Sequence, residues 1–177
     1  YGWLSYCNIC IKVMYQVFLG YDSRQAQAYS VCKHSIERRS SEPLEVVPLR
    51  QAALRHSGLY SRPYRIDENG QYWDEHDGKP FSTEFSFTRF LVGEVAKCNS
   101  LKGWVLFADC DFLFLDDIKK LFSLADASKA VMCVKHDWQG SQCLKMDNKI
   151  QEAYPKKLWS SLFLWQINHP ANMQLTV

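Results

Sequence analysis

Apolar residues come in short blocks separated by polar, turn-rich stretches, and the spacing within the blocks alternates between two kinds. Residues 11–19 (IKVMYQVFL) form a β-branched, aromatic run of strand length. Asp22-Ser23 follows as a helix cap, and Ala26, Tyr29, Val31, Cys32 and Ile36 recur at helical spacing as far as Arg39. Residues 44–49 (LEVVPL) predict a second strand, with Pro48 marking its end or a sheet edge. Residues 51–56 predict a short helix. Residues 58–80, rich in Gly, Pro, Asp and Tyr, predict a long loop of the kind that serves function. Ser82-Thr83 caps a predicted helix to about Lys97. Residues 104–108 (WVLFA) are a strongly apolar strand running into Asp109-Cys110-Asp111. Asp116 and Asp117 precede a helical pattern to about Leu124, where capping is their expected role. Residues 130–134 and 160–167 predict two more strands, separated by a polar loop over 136–157.

Strands alternating with helices predict an α/β fold with a mainly parallel central sheet flanked by helices. Ligands of such sheets bind beyond the carboxyl ends of the strands. That rule selects Gly20-Tyr21-Asp22 and Asp109-Cys110-Asp111. Side chains alternate across a strand, so Asp109 and Asp111, at i and i+2, share a face and converge on one point just past the sheet edge. Two such charges need a cation between them, and a hard divalent metal suits carboxylate and phosphate oxygens.

The 177 residues suffice for one domain, read as 11–177 with residues 1–10 as an N-terminal extension. Hydrophobic residues make up 47% and charged residues 23%, as in ordinary globular chains. The net charge of +2 is spread along the chain, which argues against a nucleic-acid protein built on a basic face. Asn8, Lys12 and Gln16 interrupt the apolar run of residues 1–20, so no stable membrane insertion is expected. Seven scattered cysteines, an odd number, point to reduced thiols and a cytoplasmic location. Cys7 and Cys10 have CxxC spacing, open between a zinc pair and apolar packing. A Walker phosphate loop is absent from the sequence.

The segment Trp104-Val-Leu-Phe-Ala-Asp-Cys-Asp-Phe-Leu resembles the DxD region of GT-A-fold glycosyltransferases, especially the family-8-like group. Three further segments agree in order: residues 17–22 (VFLGYD), 82–91 (STEFSFTRFL) and 159–170 (WSSLFLWQINHP). The resemblance implies a Rossmann-like GT-A nucleotide-diphospho-sugar transferase fold and a metal-dependent transfer of a sugar from a nucleotide-diphosphate donor to a glycan or small-molecule acceptor. It implies that Asp109 and Asp111 hold Mn²⁺ or Mg²⁺ at the donor diphosphate, with Asp109 also able to meet the ribose. It places Tyr21 and Asp22 at the base or ribose, Arg89 against Asp109 or the phosphates, and Trp159, Ser160 and Ser161 along the sugar or acceptor pocket. Arg89 stays open between this role and an ordinary salt bridge, and Ser160 and Ser161 between it and a plain buried strand. His136 is a candidate base, with Lys135 and Asp137 facing the acceptor. The family's third metal ligand, a His, falls beyond residue 177, so the chain is expected to be C-terminally truncated. Two rivals remain: a nucleotide-sugar-binding module without catalysis, and a haloacid-dehalogenase-type phosphatase. In the latter, a hydroxyl residue follows the second Asp by two positions; here Leu113 follows it by two.

Overall fold

A computed structural model describes residues 14–135, 143–144, 150–151 and 159–174. The CxxC pair, His136, Asp137 and nearly all of the 136–157 stretch lie outside the described residues.

The elements follow the chain as β1 (Tyr15–Tyr21), α1 (Ala26–Arg39), β2 (Leu44–Arg50), α2 (Gln51–His56), β3 (Tyr64–Ile66), β4 (Tyr72–Asp74), β5 (Pro80–Phe81), α3 (Val92–Cys98), β6 (Trp104–Ala108), α4 (Lys119–Phe122), β7 (Val131–Cys133), β8 (Cys143–Leu144), β9 (Ile150–Gln151) and β10 (Leu162–Gln166). Among the described residues, five strands form a central sheet in the order β2-β1-β6-β10-β7. The α/β class is as expected. The sheet is mainly parallel, as expected: β1 pairs parallel with β2 and β6, and β10 is the one strand reversed, antiparallel to both β6 and β7. Pro48 sits on β2, an edge strand with β1 as its one partner, where a missing N–H costs no ladder bond.

Side-chain alternation divides the core into two layers. Val17, Leu19, Leu106, Ala108 and Leu164 pack on one face with Cys32 and Ile36 of α1. Phe18, Val105, Phe107, Phe163 and Trp165 pack on the other with Leu54 of α2 and Val92, Val95 and Ala96 of α3. Both faces are covered, so the strands read as continuous apolar runs.

Three expectations change. Residues 58–80 hold most of a small antiparallel sheet in the order β3-β4-β5, with Tyr64, Tyr72 and Phe81 packed together, rather than a plain loop. An ion pair between Arg62 and the buried Asp74 fixes that sheet, and alternation over three-residue strands is too short to read from sequence. The single helix predicted over 83–97 is instead a series of turns, a 3-10 segment (Thr88–Leu91) and α3. The helix expected from Asp116 to about Leu124 shrinks to α4, whose N-cap position is Ile118 without a side-chain cap; Asp117, one residue earlier, accepts from the Lys119 N–H at 3.0 Å.

Glycine sets two close approaches. A Cβ on Gly20 would lie 2.6 Å from Phe85 Cγ, and one on Gly93 would lie 2.6 Å from Trp165 Nε1. Gly20→Ala and Gly93→Ala should each lose about 1–3 kcal/mol of stability in urea unfolding, as overpacked cores do. Unchanged midpoints would show that both ring systems relax freely.

Candidate active site at the carboxyl ends of β1 and β6

β1 connects to β2 on one side, and its other neighbour, β6, comes later in the chain. The strand order therefore reverses between β1 and β6, and the crevice at such a switch point is where α/β sheets take ligands. Asp22 follows β1 there, and Asp109 follows β6. Because β10 runs backwards, its amino end, preceded by Ser160 and Ser161, comes to the same edge. A parallel strand would have brought Gln166 instead. The reversal of β10 therefore puts the two serines beside the acids.

The acidic pair does not lie on a strand. β6 ends at Ala108, and Asp109 to Phe112 make a turn. The i, i+2 argument for a shared face therefore does not apply, and the two side chains differ. The Asp109 side chain is 14% exposed, whereas Asp111 is open to solvent. Asp109 N–H donates to Ser161 C=O at 2.8 Å, which extends the β6–β10 ladder by one rung.

Arg89 reaches this point from the 3-10 segment. Its Nη1 donates to Ser160 C=O at 2.9 Å, to Ser160 Oγ at 3.3 Å and to Asp109 Oδ2 at 3.4 Å. It also lies 3.1 Å from Asp109 Oδ1 but points no N–H at it, so Oδ1 is a buried acceptor without a hydrogen-bond partner. Nε of Arg89 donates to Phe85 C=O at 3.2 Å, and the Phe85 ring is the one that Gly20 admits. A path of contacts thus runs from the glycine of β1 through Phe85 and Arg89 to the first acid. Burial pushes the Asp109 carboxyl up to about 6; the Arg89 charge opposes this and the Asp111 charge adds to it.

The thiols nearby are inert. Cys110 donates to Gln25 Oε1 at 3.4 Å, and burial pushes its thiol up to about 11. Cys32, near the Asp109 carbonyl, is pushed up to about 12 by the same cause. Neither is a thiolate at neutral pH. Among the described residues, Cys32, Cys98, Cys110 and Cys133 are free.

Asp22 is fully buried, and its carboxylate is taken up by protein donors. Oδ1 accepts from Arg24 N and Nε, both at 2.9 Å. Oδ2 accepts from Arg24 Nη2 at 2.6 Å and from Glu84 N at 3.2 Å. The predicted capping is present, since the Arg24 N–H bond caps a 3-10 turn (Ser23–Gln25) that leads into α1. Tyr21 is half-buried, with the Arg50 guanidinium 3.6 Å above its ring and Tyr29 edge-on at 5.2 Å. Trp159 is exposed and tilts against Phe90 and Phe163. Lys135 is exposed after β7.

Sequence reasoning missed Arg24, Glu84 and Arg50. Arg24 carried a signal, an Arg two positions after a capping Asp. Glu84 meets Asp22 across 62 residues, and no local pattern announces that. Among the described residues, no group of three or more His, Cys, Asp or Glu is placed to hold a metal. Asp109 and Asp111 offer two carboxylates. That is enough for Mg²⁺ or Mn²⁺ where substrate phosphates complete the shell. The unpartnered Oδ1 and the raised pKa of Asp109 fit a group that waits for a cation.

No helix among the described residues is long and apolar enough to cross a membrane. No protein-family model matches the chain. The chain is similar to Protein CDI of Arabidopsis thaliana, at 44% identity over 165 residues. The match covers 93% of this chain and 58% of that protein, so the chain spans a little over half the length of its relative. The apo-form glycosyltransferase GlyE of Streptococcus pneumoniae TIGR4 superposes with a TM-score of 0.47 at 15% identity, over 88% of this chain and 34% of that one. What the chain does chemically has to be read from the residues at its strand ends.

Proposed function

We propose that this chain carries the donor site of a metal-dependent glycosyltransferase of GT-A type, moving a sugar from a nucleotide diphosphate to a glycan or small-molecule acceptor. The observation that carries the reading is the switch-point crevice. There Asp109, largely buried and ion-paired to Arg89 through an oxygen that accepts no hydrogen bond, lies next to an exposed Asp111 in one turn.

Asp111 and Oδ1 of Asp109 would hold Mn²⁺ or Mg²⁺. Such an ion supplies Lewis-acid stabilisation to a departing diphosphate. The chain's own residues do the rest. Arg89 keeps Asp109 in place and offsets part of its burial. Ser160 and Ser161, brought to the edge by the reversed β10, set their hydroxyls beside Arg89 and Asp109, where a donor sugar would lie. Tyr21, with Arg50 stacked over its ring, stands at the end of β1, where the pair would meet a base or ribose. A module that binds donor without turning it over is the second reading, favoured because, among the described residues, no group of three or more His, Cys, Asp or Glu is placed to hold a metal.

A thermal-shift panel of nucleoside diphosphates with and without Mn²⁺ tests the proposal, because a ligand that binds only the folded state raises its melting temperature. The expected result is stabilisation that needs both metal and at least one diphosphate and that vanishes in Asp111→Ala. Equal shifts in parent and variant would remove Asp111 from the site. Sugar release from the matching nucleotide sugar separates the enzyme from the binding module.

A further inference from the structure

We infer that Asp22 is a positioning residue rather than a nucleotide contact: with Arg24 it clamps the 82–91 segment to the end of β1 and so places Arg89 against Asp109. This deepens the donor-site reading and, in its consequence for ligands, rests on it.

An ionised carboxylate has about four acceptor positions, two on each oxygen. Asp22 has four donors, two on each oxygen, at 2.6–3.2 Å, and is 0% exposed. A ribose hydroxyl or base N–H would have to displace one of them. Three of the four come from Arg24 and the fourth from the backbone of Glu84. Arg24 Nη2 also donates to Ser82 C=O at 2.7 Å, and its guanidinium lies 4.8 Å above the Tyr72 ring of β4. Glu84 answers from the other side, accepting from the Ser23 N–H at 3.3 Å and from its hydroxyl. Residues 22–24 and 82–84 are therefore laced together in both directions. Five residues beyond Glu84 comes Arg89. The segment between makes turns and 3-10 bonds rather than a regular α-helix, so its course depends on such anchors.

Two measurements on the 177-residue chain test this. Amide exchange is followed for Asp22→Asn and for Arg24→Ala, which removes the other partner of the clamp. Exchange over residues 82–91 should quicken about tenfold or more, because the bonds lost are to an ionised carboxylate. Exchange over β6 should stay as in the parent. Binding of Mn²⁺ with UDP, GDP, ADP and inorganic pyrophosphate is then titrated. Both variants should weaken every probe by a similar factor, about tenfold, the usual effect of removing an outer partner of a metal ligand. The double variant should be no worse than the stronger single one, and Arg24→Lys should restore part of the loss. If Asp22→Asn alters the preference among bases while leaving pyrophosphate untouched, Asp22 is a direct contact and the inference fails. Unchanged exchange over 82–91 also overturns it. If the parent binds no probe but the exchange result holds, the clamp stands and the donor site falls.

Discussion

Arg89→Ala should cost the fold about 3–5 kcal/mol near pH 8, the usual result of removing one partner of a buried ion pair. Arg89 is 8% exposed, and its side chain joins Phe85 C=O, Ser160 C=O and the Asp109 carboxylate. Without it, the Asp109 carboxylate keeps its burial and loses its counter-charge. Its pKa, already about 6, must rise further. The loss is therefore greatest at high pH, where the variant must either bury an unpaired charge or take up a proton. It shrinks as pH falls through about 6, where the folded parent's Asp109 takes up a proton as well. Arg89→Lys should lose less at every pH but still fall short, because an ammonium cannot reproduce the fork onto two carbonyls and a carboxylate. Urea midpoints at pH 5 and pH 8 check both statements. A pH-independent loss would mean that Arg89 acts by packing alone.

Asp109→Asn should do the reverse to the ligand-free protein. Asp109 is raised from 3.8 to about 6 in the fold. The folded state thus holds its proton more tightly than the unfolded state does. Between those values stability falls as pH rises, and above about pH 6 the full penalty applies. At roughly 1.4 kcal/mol per pKa unit the ceiling is about 3 kcal/mol. Asparagine keeps an acceptor for Arg89 and carries no charge. The variant should match the parent near pH 4 and exceed it by about 1–3 kcal/mol at pH 7.5, while losing the metal-dependent response to diphosphates. Stability gained on losing an acid is what a site that stores unfavourable charge for a ligand should show. Parallel melting curves of parent and variant from pH 4 to 8, with no divergence, would contradict it.

Much of the fold can be read along the chain, and the reasons for the failures are physical. β1 and β6 are short, apolar and buried on both faces, so their runs alone mark them as central strands, and Pro48 marks β2 as the edge. The direction of β10 is not in its sequence: SLFLWQI has the same composition whichever way it runs, and only the path of the preceding chain decides. The 58–80 region reads as loop because its strands are two or three residues long and its stability comes from Arg62, Asp74 and stacked rings rather than from periodicity. The acids at 109 and 111 stand out because carboxylates directly after an apolar strand are costly without a purpose. Their real arrangement, one buried against Arg89 and one exposed in a turn, differs from the shared strand face that alternation suggests. Arg24 and Glu84 show the same limit, since a buried Asp announces that it needs partners but not which ones.

The two acids and the metal between them can be tested directly by the anomalous signal of Mn²⁺ in crystals grown with the best-binding nucleoside diphosphate. The account predicts one strong peak within coordination distance, about 2.1 Å, of an Asp111 oxygen and of diphosphate oxygens, with Asp109 Oδ1 facing the ion directly or through one water. A diphosphate seated elsewhere, or a metal peak that leaves both carboxylates untouched, would contradict it.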